Sequence, residues 1–128
     1  MEAYQTIILL YLLFIWCVVI HTLEEIAQGV LDVKLGPIKA SKKKYLMGAT
    51  IITTVNLTTL ALIVIGSEIG LYLGIFTSST IGVLQALVHG YGFIKEGGKA
   101  KNVGVGFYSS IPLSVVGVIL LYSILQQV

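Results

Sequence analysis

The chain has 128 residues, 56% of them apolar and only 11% charged, with a net charge of +2. Soluble domains carry about 25% charged residues, so a soluble globular fold, a disordered tail and a coiled coil are all excluded. All eight basic residues are lysines, too few to grip a phosphate backbone, so no nucleic-acid partner is expected. The single cysteine, Cys17, excludes a disulfide framework, a cysteine zinc cluster and a thiol relay within the chain.

Four long stretches are free of formal charge. Each reaches the roughly 20 apolar residues that a transmembrane helix needs. The sequence predicts helices over about 4–30, 45–66, 70–94 and 105–126, as one all-α domain over 1–128: an antiparallel four-transmembrane-helix bundle. Glu2 stands where a signal peptide carries its basic residues, and no small-residue cleavage site is clear. The first apolar run is therefore expected to stay in the mature protein.

Lysine placement predicts the topology. Loop 1 holds Lys34, Lys39, Lys42, Lys43 and Lys44, and loop 3 holds Lys95, Lys99 and Lys101. The Gly66-Ser67-Glu68 turn and both termini hold none. The positive-inside bias puts loops 1 and 3 in the cytoplasm and both termini outside.

Helix 1 carries residues that lipid rejects. His21, Glu24, Glu25 and Gln28 fall at i, i+3, i+4 and i+7, on one face that Cys17 and Phe14 continue. Counted from Lys34 as the interface, His21 lies on the order of 15–20 Å inside and Glu25 roughly 10–14 Å, less if Gly29 ends the helix early. A carboxylate at mid-span costs about 2.5–3.5 kcal/mol. Eleven Ile, Leu, Val and Phe residues from Ile7 to Ile20 offset roughly 5 kcal/mol of this. The helix can insert, and its carboxylates need partners in the bundle interior.

Later helices supply them. Helix 2 has Asn56, about 18 Å from Lys44 along the axis. Tyr4, Tyr45 and Tyr122 near span ends fit an aromatic belt. Helix 3 has Gln85 and His89, the latter about 9 Å below Lys95. Its small residues Gly70, Gly74, Ser78, Gly82, Ala86 and Gly90 recur every fourth position, which predicts close packing against more than one neighbour. In helix 4, Pro112 is predicted to remove the hydrogen bond to Tyr108 and kink the helix, with Ser109 and Ser110 re-satisfying the freed carbonyl.

Two histidines, two carboxylates and an amide in a dry bundle point to a metal site. Imidazole and carboxylate suit zinc, iron or manganese. His21 and Glu25 have the i, i+4 spacing of neighbouring ligands, which leaves Glu24 as general base or a further ligand. The expected set is His21, Glu25 and His89 on the metal, Glu24 catalytic, and Asn56 and Gln85 orienting water or substrate. The plainer alternative is a hydrogen-bonded network that fastens helices 1, 2 and 3.

With His21-x-x-Glu24-Glu25 in a chain of four spans, the sequence resembles the HXXEE-motif family of small integral membrane proteins, a family of uncharacterised function. The resemblance implies polar partners in later helices, here Asn56 and His89. CAAX-type intramembrane proteases also combine paired glutamates with histidines. They carry an arginine after the pair, and this chain has no arginine.

The leading expectation is a metal-dependent membrane enzyme, hydrolytic or oxygen-using, acting on a lipid or other apolar substrate at the cytoplasmic leaflet. The rivals are a cation- or proton-coupled transporter using Glu24 and Glu25, which would have to form a homo-oligomer; a haem b protein with His21 and His89 as axial ligands; and a non-catalytic membrane subunit.

Overall fold

The computed structural model describes residues 2–29, 34–35, 38–39, 41–95, 97 and 106–128. The protein is an all-α bundle of four helices, each long and apolar enough to cross a membrane. The first span is α1 (Glu2–Ala27) and the second is α2 (Lys42–Val64). The third is built from α3 (Glu68–Thr77), a π-helical segment (Ser78–Val83) and α4 (Leu84–Lys95), and the fourth is α5 (Phe107–Leu125). Lys99 and Lys101, expected in loop 3, lie outside the described residues.

The burial pattern is that of a membrane protein. Leu9, Trp16, Ile51, Ile69, Phe76 and Ile119 face outward, while Asn56, Thr59, Thr77, Ser78 and Ser114 are buried. Lipid solvates apolar side chains as well as a core does, so polar groups turn inward to find partners. The core is lined by Ile7, Tyr11, Phe14, Cys17, Ile63, Leu71, Leu113, Leu120 and Ile124. α5 packs most extensively against the third span, and next against α1.

The ends of α1 and α2 differ from expectation for local reasons. α1 stops at Ala27 rather than near residue 30, because Gly29 takes a left-handed φ of +79° and closes the last turn onto Ile26. α2 starts at Lys42, earlier than expected, because the Ser41 hydroxyl accepts the Lys44 N–H and caps it. Between them, two-residue strands β1 (Lys34–Leu35) and β2 (Ile38–Lys39) pair antiparallel, with Lys34 opposite Lys39. No strand was predicted there.

The small residues of the third span do bring it against several neighbours. A Cβ on Gly70 would meet the Ile63 backbone of α2 at 2.6 Å, and one on Gly74 would meet Ile124 of α5 at 2.7 Å. Gly82 stands against Gly117 of α5, where a Cβ would lie 2.9 Å from the Gly117 Cα. The sequence did not reveal the π-helical segment beside this contact. There the Ser114 hydroxyl, which donates to the Ser110 carbonyl at 2.6 Å, also approaches the Gly82 carbonyl at 3.2 Å.

Pro112 sits on an exposed face and α5 runs through it. Its neighbours are not used as expected. Ser110 donates to the Phe107 carbonyl at 2.6 Å, and Ser109 turns to α1.

Candidate metal centre

The site is assembled where the end of α1 meets the beginning of α5. Two side chains from α1 cap that beginning. Glu24 Oε2 accepts the Ser109 N–H at 2.7 Å, and Gln28 Oε1 accepts the Gly106 N–H at 2.7 Å. Gln28 Nε2 donates to Glu24 Oε1 at 2.9 Å, tying the pair together. The first N–H groups of a helix lack internal partners and carry partial positive charge, so a carboxylate there is doubly favourable. Gly106 is required twice over. Its φ is +76°, and a Cβ would lie 2.8 Å from both His21 Cε1 and Glu25 Cγ.

His21 is held inside this junction at 5% exposure. Its Nδ1 is 2.9 Å from Ser109 Oγ, and Ser109 Oγ is 3.4 Å from the Gly106 carbonyl. In the tautomer with Nδ1 protonated, Nδ1–H donates to Ser109, the Ser109 hydroxyl turns to that carbonyl, and Nε2 keeps a free lone pair. Nε2 is buried with no hydrogen-bond partner and stands 3.5 Å from Glu25 Oε1. That is too long for a good hydrogen bond. Glu25 spends its other oxygen, Oε2, on the Tyr45 hydroxyl at 2.9 Å.

His89 completes the group from α4. Its ring meets that of His21 edge to face, with centroids 5.3 Å apart. One ligand atom from each of His21, Glu25 and His89 lies within 4.8 Å of the others. Two ligands on a tetrahedral ion at about 2.05 Å are about 3.3 Å apart. The 3.5 Å edge between His21 and Glu25 is therefore already near that geometry, and His89 must close by up to about 1.5 Å. None of the α4 residues is fully buried, and the Phe93–Phe107 stack at 5.0 Å ties its end to α5. His89 thus sits on the looser wall of the site.

The remaining expected residues divide. Gln85 lines a cavity of about 190 Å³ beside His21 and Glu25. Asn56 departs from expectation. It is 1% exposed, but it belongs to a separate ladder in which Tyr11 Oη donates to Asn56 Oδ1 at 3.0 Å. Since Tyr11 has one proton, Thr77 Oγ1 donates to Tyr11 at 2.7 Å. Asn56 Nδ2 turns to the Ile52 carbonyl at 2.9 Å. Tyr11 is ten residues before His21, about 15 Å along α1, so the two polar groups are separate. Glu24 also stands outside the His21–Glu25–His89 group, with Oε2 on the Ser109 N–H and Oε1 on the Gln28 amide.

The early end of α1 moves the site toward the surface. His21 is six residues before Ala27, about 9 Å, and Glu25 about 3 Å. His89 is six residues before Lys95, at the same depth. The sequence places Tyr45 in an aromatic belt and gives Ser109 and Gly106 no role at the site. Tyr45 was findable, because it opens α2 and antiparallel neighbours place that turn beside the end of α1. Gly106 and Ser109 act through a register that the sequence does not display. No family model, curated protein or solved structure matches the chain.

Proposed function

We propose that the protein is a metal-dependent integral membrane enzyme whose ion is held by His21, Glu25 and His89, acting on a lipid or other apolar substrate at the membrane surface. The observation that carries this reading is the buried Nε2 of His21, which has no hydrogen bond and stands at ion-pair distance, 3.5 Å, from Glu25 Oε1 and against the ring of His89. A buried polar atom without a partner costs free energy, and an ion would remove that cost. The two rings in contact leave no plane between them for a macrocycle, which favours a compact ion over haem.

Two imidazoles and one carboxylate suit zinc, or iron with open positions. Such an ion lowers the pKa of a bound water and polarises a substrate oxygen. The protein's own residues have the following parts in this reading. Ser109 fixes the His21 tautomer, Tyr45 orients Glu25, and Gln85 faces the cavity to position substrate. The sequence suggests Glu24 as general base or a further ligand; in this reading its engagement with Ser109 and Gln28 gives it a positioning role instead. The resemblance to the HXXEE-motif family and the cytoplasmic placement of loops 1 and 3 belong to the same reading.

Elemental analysis of the detergent-purified protein tests it. The expected result is about one transition-metal ion per chain, lost in His21→Ala and His89→Ala and weakened in Glu25→Gln. Wild-type protein that holds no metal and takes up no zinc, iron or manganese would leave the polar groups as helix fasteners alone.

A further inference from the structure

The cavity beside the metal group is lined by residues of all four spans. Its polar walls are His21, Glu25, Lys44, Tyr45 and Gln85. Its apolar walls include Val18, Ile52, Ile81 and Leu113. Helix direction places the charged residues nearer the surface than the apolar ones. Val18 lies about one turn deeper than His21, Ile52 about two turns deeper than Tyr45, and Ile81 about one turn deeper than Gln85. The cavity therefore has its charged groups, Glu25 and Lys44, toward the surface and is mainly apolar toward the membrane centre, where Gln85 is level with Val18 and Ile52, which is the polarity of a lipid molecule in place.

The charge at its surface end is net positive. Lys42, Lys43 and Lys44 fill the first turn of α2, with no acidic residue among them. Cations there oppose the helix dipole, so the positive ends of the dipole and the side chains reinforce each other. Of the three, Lys44 lines the cavity. Glu25 puts one negative charge on the same wall, and Lys42 and Lys43 beside Lys44 keep this end net positive. About 190 Å³ is room for roughly six water-sized groups. That accommodates a headgroup and the start of one chain, not two. Gly48 and Ala49 create this room on α2, and a Cβ on Gly48 would meet nothing within 4 Å.

We propose that this cavity binds a single-chain lipid with a phosphate headgroup, the phosphate on Lys44 and the chain running inward past Val18 and Ile52. The proposal deepens the metal reading by naming its substrate class, and rests on that reading only for what the phosphate would face.

The test uses full-length protein in nanodiscs of zwitterionic phosphatidylcholine, stripped of metal by a chelator and titrated with dodecyl phosphate under phosphorus NMR. The expected result is saturable binding of one equivalent. Lys44→Gln should weaken it about tenfold, the worth of one charge-assisted hydrogen bond. Gly48→Leu should abolish it by filling the cavity, and Lys43→Gln, outside the cavity lining, should weaken it less than Lys44→Gln. Dodecanol should bind more weakly than dodecyl phosphate, and inorganic phosphate should not compete at equal concentration. Equal binding by wild type and Lys44→Gln, or by dodecanol, overturns the proposal, as does full competition by inorganic phosphate. Metal uptake is measured on the same samples. Lipid binding without metal uptake would sink the metal reading alone, and metal uptake without lipid binding would sink this proposal alone.

Discussion

Glu24 of α1 accepts the backbone N–H of Ser109 at 2.7 Å, while the Ser109 hydroxyl lies 2.9 Å from Nδ1 of His21. One serine at the start of α5 thus joins two residues of the His-x-x-Glu-Glu sequence. Its N–H fixes the carboxylate and its hydroxyl fixes the imidazole. The motif reads as a device with two jobs: Glu24 and Gln28 dock α5, and His21 and Glu25 face inward.

The docking role makes a prediction. Glu24→Ala should leave the first turn of α5 uncapped and lower stability by about 1 kcal/mol, the usual worth of a cap. Glu24→Gln keeps an oxygen acceptor and should lose less, while retaining metal. Thermal unfolding in detergent, paired with metal analysis, measures both. Loss of metal in Glu24→Gln with unchanged stability would place Glu24 on the ion instead.

The two polar groups should behave independently. Tyr11→Phe removes the hydroxyl between Thr77 and Asn56 and should lower stability by roughly 0.6–1.7 kcal/mol, the range for interhelical hydrogen bonds in membranes. Metal content should not change. A Tyr11→Phe protein of full stability that has lost its metal would contradict the separation of these groups.

Packing of the third span offers a paired test. Gly82→Ala would set a Cβ 2.9 Å from Gly117 Cα, so α5 must shift, at a cost of about 1–3 kcal/mol. Gly90→Ala meets nothing within 4 Å and should be neutral or stabilising by up to about 1 kcal/mol, the difference in helix propensity. Chemical unfolding midpoints compare them.

Topology follows from the lysines. Cysteines introduced at Lys42, with Cys17 replaced, should be labelled from the cytoplasmic side and those at Glu68 from outside. Impermeant maleimides on intact cells decide it, and external labelling at Lys42 would reverse the orientation.

The number and type of spans were legible because lipid imposes a composition: long uncharged runs can only be helices crossing the membrane. The face of α1 that carries His21 and Glu25 was legible from its 3.6-residue period. The depth of that face was not, because it hangs on Gly29, one residue whose left-handed φ ends the helix. Asn56 was misplaced because a polar residue in a span announces a partner without naming it. Its partner proved to be Tyr11, which reads as an ordinary apolar-face aromatic. The π-helical segment left no signal, since Ser78–Val83 has the composition of any close-packed membrane helix.

Retention of the metal should depend on pH in one direction. Both imidazoles must be neutral to bind, and protons compete for the same nitrogens. Metal should be held at neutral and higher pH and released as pH falls through the range where imidazoles protonate. Equilibrium dialysis across pH gives the curve, and a flat one would exclude histidine ligands.

The most direct measurement is X-ray absorption on zinc-loaded protein in detergent. The account expects two imidazole scatterers and oxygen at about 2.0–2.2 Å around zinc, with one imidazole lost in either His21→Ala or His89→Ala. A zinc shell without imidazole, or one unchanged in both variants, would contradict a metal centre at His21, Glu25 and His89.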